Sequence, residues 1–80
     1  MHPKIKSVKA LDNYLLLITF DNNVIKKYNC KNKFKNPLFC ILKNKAFFKS
    51  IKVDPGGYGV SWNDELDLSE YELWSKGQTI

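Results

Sequence analysis

The longest apolar run in the chain covers residues 14–20 and is followed by the polar triplet Asp-Asn-Asn at 21–23. Alternate positions of the run are apolar on both sides, which predicts a strand in the middle of a sheet. Asparagine tolerates the left-handed backbone of tight turns, so the triplet predicts a hairpin that returns through residues 24–30. A two-residue and a three-residue loop both fit, and the choice decides whether Val24 or Ile25 faces the core.

Two further strands are predicted on either side of this hairpin. Residues 4–11 have an irregular apolar spacing, which indicates a first strand with a bulge or an irregular end. Phe47, Ile51 and Val53 lie at even spacing, which predicts a fourth strand over residues 47–53.

A short helix is predicted between these strands. Asn36 followed by a proline is a typical helix start, because the asparagine side chain caps free amides and proline fits the first helical turn. The helix would run to about Lys43, with Leu38, Ile41 and Leu42 on the face that lies on the sheet.

A second hairpin is predicted over residues 51–68, around the turn Asp-Pro-Gly-Gly at 54–57. In its returning strand Tyr58, Val60 and Trp62 would share the packed face. The opposite face carries only Gly59 and Ser61, and we expect it to be nearly bare.

The chain closes with a predicted helix. Ser69 and Glu72 have the spacing of a capping box, and Gly77 is the expected stop. The elements together predict one α+β domain spanning residues 1–80, with about five mostly antiparallel strands and two short helices in the order β-β-β-α-β-β-α.

The charge of the chain is strongly segregated. All thirteen basic residues are lysines, and the formal net charge is +5. Residues 1–52 carry twelve lysines against two acids, and residues 53–80 carry one lysine against six acids. The acidic part either folds back near the lysines or attracts a different partner. The lack of arginine argues against sequence-specific DNA recognition.

The residue types needed for catalysis are sparse. His2 is the only histidine, and Cys30 and Cys40 have neither metal-site nor disulfide-framework spacing. We therefore expect no enzyme, no metal, no cofactor and two reduced thiols. The longest apolar run is far shorter than a membrane span, so we expect a cytoplasmic protein without a membrane partner.

The first candidate site combines aromatic and acidic residues of the C-terminal part. Trp62, Asp64, Asp67 and Trp74 form a candidate partner-binding set, in which Trp62 would be a partly exposed anchor. The structural alternative is that Trp62 fills the core while an aspartate accepts backbone amides in the turn or at the helix entrance.

The second candidate site is a lysine-rich surface with interleaved aromatic residues. Its members would track a nucleic-acid backbone and stack on bases, and they are Lys26, Lys33, Phe34, Lys35 and Lys45. Such binding would be non-specific and steeply dependent on salt. The structural alternative is a solvated lysine face over core aromatics.

The order of motifs resembles the small bacterial domain-of-unknown-function family 2442. The motifs that carry this resemblance are Pro3-Lys4-Ile5 with Val8, Tyr14-Leu15-Leu16-Leu17 through Phe20, Tyr28, the helix with Leu38, Phe39 and Leu42, residues 47–54, and Gly59-Val60-Ser61-Trp62 with Asp64, Asp67 and Leu68. One departure is the triplet at 21–23, where the family pattern usually has an Asp-Gly turn. The resemblance implies a compact α+β domain without known catalytic residues, often encoded beside a second small protein in pairs that look like toxin–antitoxin systems.

These observations lead to two functional expectations. The first is a non-enzymatic interaction module that binds a small protein encoded nearby, as the antitoxin-like or accessory member of a pair, using edge strands or the Gly59/Ser61 face. The alternative is a weak, non-specific nucleic-acid-binding domain. A homodimer remains open.

Overall fold

The strands of the protein form two antiparallel sheets in the computed structural model, which describes residues 2–80. The larger sheet consists of β1 (Ile5–Ala10), β2 (Leu15–Phe20), β3 (Ile25–Asn29) and β7 (Gln78–Thr79), in that spatial order. The smaller sheet consists of β4 (Lys52–Val53), β5 (Gly59–Ser61) and β6 (Asp67–Ser69), also in that order. The α+β class is confirmed, but the expected count of about five strands was too low.

Helical structure is short throughout. There are two α-helices, α1 (Lys45–Phe48) and α2 (Glu70–Lys76), and four 3₁₀ segments at Asp12–Tyr14, Cys30–Lys33, Pro37–Lys43 and Pro55–Gly57 within the described chain. None of the helices in residues 2–80 has the length and hydrophobicity needed to cross a membrane.

Strand β2 lies between β1 and β3, as its two apolar faces predicted. Leu16, Ile18 and Phe20 alternate along its inner face and are fully buried. The strand begins at Leu15 rather than Tyr14, because Tyr14 has a left-handed backbone with φ of 62° that cannot continue a strand. The predicted bulge of β1 is present as a register shift between Ile5 and Ser7.

The loop between β2 and β3 has three residues, which decides between the two loop lengths that the sequence allowed. The Phe20 amide donates to the Val24 carbonyl at 2.9 Å, and Asn23 takes a φ of 69° inside the loop. This is a common three-residue hairpin, with a left-handed residue at its end. Val24 is consequently half-buried, whereas Ile25 pairs with Thr19 on the opposite face and is exposed.

The predicted second hairpin is present as the pair β4 and β5. The prediction that Tyr58 faces the core was wrong, because Tyr58 still belongs to the turn with a helical backbone and is 61% exposed. The opposite face is not bare either. Gly59 is buried, and Ser61 donates a hydrogen bond to the Asp54 carboxylate at 2.6 Å.

The short helix starts at Asn36 as predicted, and the Asn36 side chain accepts from the Leu38 amide at 3.0 Å. Its predicted inner face is correct for Leu42 and wrong for Leu38 and Ile41. The segment is a 3₁₀ helix with three residues per turn, so Leu38 and Ile41 align on one side. Leu42 is fully buried, while Leu38 and Ile41 are exposed.

The fourth strand predicted over residues 47–53 is present only at its end, because Phe47 and Phe48 belong to α1 and a turn follows them. The side chain of Asn44 accepts from the Phe47 amide at 3.1 Å and caps α1, so only Lys52 and Val53 remain extended. The cap moves Phe48 into the core and leaves Phe47 half-buried.

Helix α2 connects the two sheets. Ser69 caps it by accepting from the Glu72 amide at 3.0 Å, which is half of the predicted capping box. Glu72 does not reach back, because its carboxylate binds Tyr28 of β3 instead. Leu73 is fully buried in a single core cluster that includes Phe20 of the large sheet and Val60 of the small one.

Candidate functional site

The candidate site is the outer face of the large sheet. Direct cross-strand pairs place Lys9, Leu17 and Lys27 in one row and Ser7, Thr19 and Ile25 in the next. Residues directly opposite each other in antiparallel strands share a face, so the rows form one surface. We define the outer sheet face by these six residues together with Leu15 and its neighbour Asn29.

This face is turned to solvent. Leu15, Leu17 and Thr19 on the central strand are half-buried, and their neighbours on the flanking strands are all exposed. Ile25 remains 39% exposed. An antiparallel sheet with one solvated face normally alternates apolar and polar residues. The central strand departs from that pattern, because two of its three outward positions, Leu15 and Leu17, are also apolar.

Lysines border the apolar centre of the face on both sides. Lys9 and Lys27 flank Leu17 directly, and both are exposed. Neither takes part in the two ion pairs found within residues 2–80, which are Lys4 with Glu70 and Lys33 with Glu72. The outer sheet face therefore combines an apolar strip with uncompensated positive charge.

A cleft of about 440 Å³ opens where the outer sheet face reaches α2. It is lined by Leu15, Lys27, Tyr28, Asn29, Asn32, Lys33, Glu72, Lys76 and Gln78. The Tyr28 hydroxyl donates to Glu72 Oε2 at 2.7 Å, and Lys33 Nζ lies 3.2 Å from the same oxygen. The Glu72 carboxylate of α2 thus binds both Tyr28 of β3 and Lys33 of the 3₁₀ segment that follows β3.

These contacts shift the ionisation of the groups involved. The pKa of Glu72 is held below its usual range, first because the Tyr28 hydroxyl donates to the carboxylate and then because Lys33 is close. The pKa of Tyr28 is raised, mainly by burial and then by the bond to Glu72. Near neutral pH Glu72 is therefore a carboxylate and Tyr28 a neutral donor.

The structure separates the four residues of the first predicted site. Trp62 is only 6% exposed, and its indole nitrogen donates to the Phe48 carbonyl at 3.0 Å. It fills the core, as the structural alternative stated. The amides of the following turn are accepted by Asn63 rather than by an aspartate, and Asp64 and Asp67 are exposed.

Trp74 packs against the large sheet rather than beside Trp62. Its ring packs edge-on against Phe20, with 5.0 Å between ring centroids, and remains half-buried. Lys26 Nζ lies 4.0 Å from the centroid of the Trp74 ring and also donates to the Trp74 carbonyl. Trp74 and Lys26 are thus bound to each other, although they were assigned to different predicted sites.

The second predicted site is also dispersed. Lys33 is paired with Glu72, and Phe34 packs edge-on against Tyr14 at 5.2 Å between centroids. Only Lys35 and Lys45 of this set are exposed. Because the Phe34 ring is packed against Tyr14, this set has no free aromatic ring on which a base could stack.

The groups that could hold a metal or act as nucleophiles are scattered. No three His, Cys, Asp or Glu residues come together in the part of the chain that the structure describes. Burial raises the pKa of the Cys30 thiol to about 12, so this cysteine is inert at neutral pH. Cys40 is exposed, and its thiol donates to the Phe34 carbonyl at 3.4 Å.

Sequence reasoning missed the outer sheet face, although the signal was present. The apolar character of both faces of residues 14–20 was interpreted only as evidence for a central strand. Placing Lys9 and Lys27 beside Leu17 needed the register, which depends on the bulge in β1 and on the three-residue loop after β2.

Comparison with known proteins gives one positive result. Searches of curated proteins and of solved structures found no match. A family model described as "Protein of unknown function (DUF2442)" matches residues 5–79, which include every strand and both α-helices. The chain belongs to this family, domain-of-unknown-function family 2442.

Proposed function

We propose that the protein is a non-enzymatic interaction module that binds a small protein partner through its outer sheet face. The observation that carries this proposal is the central strand, which is apolar on both sides although the fold covers only one of them. Leu15 and Leu17 leave aliphatic surface in contact with water at the centre of the sheet. A partner that packs on them would remove this apolar area from water.

The charges around the strip define the chemistry of the partner. Lys9 and Lys27 border Leu17, so a partner needs an apolar centre edged by Asp or Glu. A second copy of the chain fits less well, because a twofold interface would bring the same lysines close to each other. A different, acidic protein is therefore the preferred occupant over a homodimer.

The family resemblance supplies a first candidate for that protein. Relatives are often encoded beside a second small protein, so the product of the neighbouring gene is the partner to test. In this arrangement the protein would be the antitoxin-like or accessory member of a bacterial, cytoplasmic pair. Weak nucleic-acid binding has less support, because Phe34 is packed while Lys26 and Lys33 are engaged within the fold.

The experiment is co-expression with the neighbouring gene product, followed by co-purification and measurement of affinity. Ile25→Thr removes an exposed side chain from the outer sheet face, and Ile41→Thr makes the same change at an exposed position elsewhere. We expect Ile25→Thr to weaken binding by roughly fivefold to tenfold. Ile41→Thr should leave the affinity unchanged.

A charge-reversal pair tests the lysine border. Lys9→Glu with Lys27→Glu should abolish co-purification, whereas Lys35→Glu with Lys43→Glu makes the same change in net charge and should not. Absence of co-elution with the wild-type chain, or equal loss with both pairs, would contradict the proposal.

A further inference from the structure

A second exposed apolar feature lies outside the outer sheet face. Leu38 is 59% exposed and Ile41 is 49% exposed, on the 3₁₀ helix Pro37–Lys43. Residues three apart in a 3₁₀ helix are aligned, so the two side chains stand next to each other. We call this pair the aliphatic ridge.

Residues of the same helix that pack in the core hold the ridge in place. Leu42 of the same helix is fully buried, and Phe39 packs against the core. Asn36 caps the start of the helix, and the Tyr14 hydroxyl donates to the Lys43 carbonyl at its end, at 2.9 Å. The outward direction of Leu38 and Ile41 is therefore fixed by the fold.

The surroundings of the ridge are positively charged. Residues 22–53 contain nine lysines and no acidic residue. The exposed lysines nearest to the ridge along the chain are Lys35, Lys43 and Lys45. Two acids approach this region from other elements. Asp12 lines a cleft with Lys45 and Lys49, and Glu72 pairs with Lys33, whose Nζ lies 6.0 Å from the centroid of the Phe39 ring. No acid lies between Lys35 and Lys43 in sequence.

We propose that the aliphatic ridge and its lysines bind the surface of an anionic membrane. Clusters of lysine attract anionic lipid headgroups, and short apolar side chains between them enter the interface without spanning the bilayer. The expectation of no membrane partner rested on the lack of a spanning segment, which surface binding does not need. This proposal uses a different surface from the proposed protein interface.

The small extent of the ridge favours a lipid surface over a protein. Only Leu38 and Ile41 project from the short helix, which is far less apolar area than a specific protein interface needs. The outer sheet face, by contrast, spans three paired strands.

The test is co-sedimentation of the full chain with vesicles. Vesicles of phosphatidylcholine with roughly one third phosphatidylglycerol should bind the protein at low salt, and vesicles of phosphatidylcholine alone should bind about tenfold less. Leu38→Thr with Ile41→Thr should weaken binding to the anionic vesicles by at least roughly tenfold. Ile25→Thr is the matched control and should bind as the wild type does.

The charge-reversal pairs separate the two surfaces. Lys35→Glu with Lys43→Glu should abolish vesicle binding, whereas Lys9→Glu with Lys27→Glu should retain most of it. Equal loss with both pairs would mean that only net charge matters and would overturn the proposal. So would unchanged binding of the Leu38 and Ile41 double variant, which is the result expected of a lysine surface that binds any polyanion, nucleic acid included. Far-ultraviolet circular dichroism checks that each variant is folded.

Discussion

Tyr28, Glu72 and Lys33 form a partly buried polar network that joins β3 to α2. The tyrosine has its ring in the core and its hydroxyl at the cleft. The carboxylate it binds was expected to complete a capping box. A sequence motif fixes which residues are near a helix start, but tertiary partners compete for the same oxygen atoms.

This network predicts a pH-dependent contribution to stability. The pKa of Glu72 is lower in the folded chain than in the unfolded chain, where it is about 4.3. The contribution is therefore present above that value and is lost as the pH falls through the folded pKa. Glu72 is partly exposed, so the loss should be about 1 kcal/mol or less.

The measurement is the urea midpoint at about pH 7 and about pH 3. The wild type should lose more stability on acidification than Glu72→Gln, and Tyr28→Phe should lie between them. Glu65→Gln changes an exposed glutamate and serves as the matched control. An equal acid loss in wild type and Glu72→Gln would show that the network does not contribute.

At the scale of elements, the turn at 54–57 determines how the small sheet meets the large one. Gly56 and Gly57 both have positive φ, at 79° and 75°. A Cβ atom on Gly57 would lie 2.5 Å from the Ile5 carbonyl oxygen, whereas one on Gly56 would meet the ring of exposed Tyr58. The backbone of β1 cannot move aside, but the tyrosine ring can.

Alanine at each glycine should therefore have different effects. Gly56→Ala should cost about 1 kcal/mol for backbone strain alone. Gly57→Ala should cost roughly 2 to 4 kcal/mol, because it adds a clash with β1 to the same strain. Thermal and urea unfolding measure both. Equal costs would show that the approach of the turn to Ile5 is not a close contact in solution.

The elements differ in how far the sequence could predict them. The hairpin of β2 and β3, the cap at Asn36 and the start of α2 follow from local turn and cap chemistry, and all three are present. The faces of short segments were less predictable. The direction of Leu38 depends on whether residues 37–43 form an α-helix or a 3₁₀ helix. The type of helix depends in turn on the core residues against which Phe39 and Leu42 pack. Helix α1 was missed because the even spacing of Phe47, Ile51 and Val53 predicted a strand, whereas Asn44 caps a helix there.

At the scale of the whole molecule, the α+β class could be predicted but the division into two sheets could not. Strands β6 and β7 have two or three residues each, which is too short for any periodicity. They form because β5 and β3 already provide edges for pairing. The outer sheet face likewise exists only once three strands are in register, so no single segment of sequence contains it.

The single core predicts that the two sheets unfold together. Helix α2 contacts β5 and β6 of the small sheet and β3 of the large one, and its Leu73 is fully buried between them. Leu73→Ala should cost about 2 to 5 kcal/mol, a large part of the stability of a domain this size.

The two tryptophans report on the two sheets separately. Trp74 packs on Phe20 of the large sheet, and Trp62 follows β5 of the small sheet. In Trp62→Phe the fluorescence reports the large sheet, and in Trp74→Phe it reports the small one. Because both sheets share the core around Leu73, we expect the fluorescence and circular dichroism midpoints to coincide within each variant. If the Trp62 fluorescence of Trp74→Phe has a lower unfolding midpoint than its circular dichroism, the small sheet unfolds before the large one. The small sheet would then be a separate folding unit that the large sheet does not need in order to stay folded.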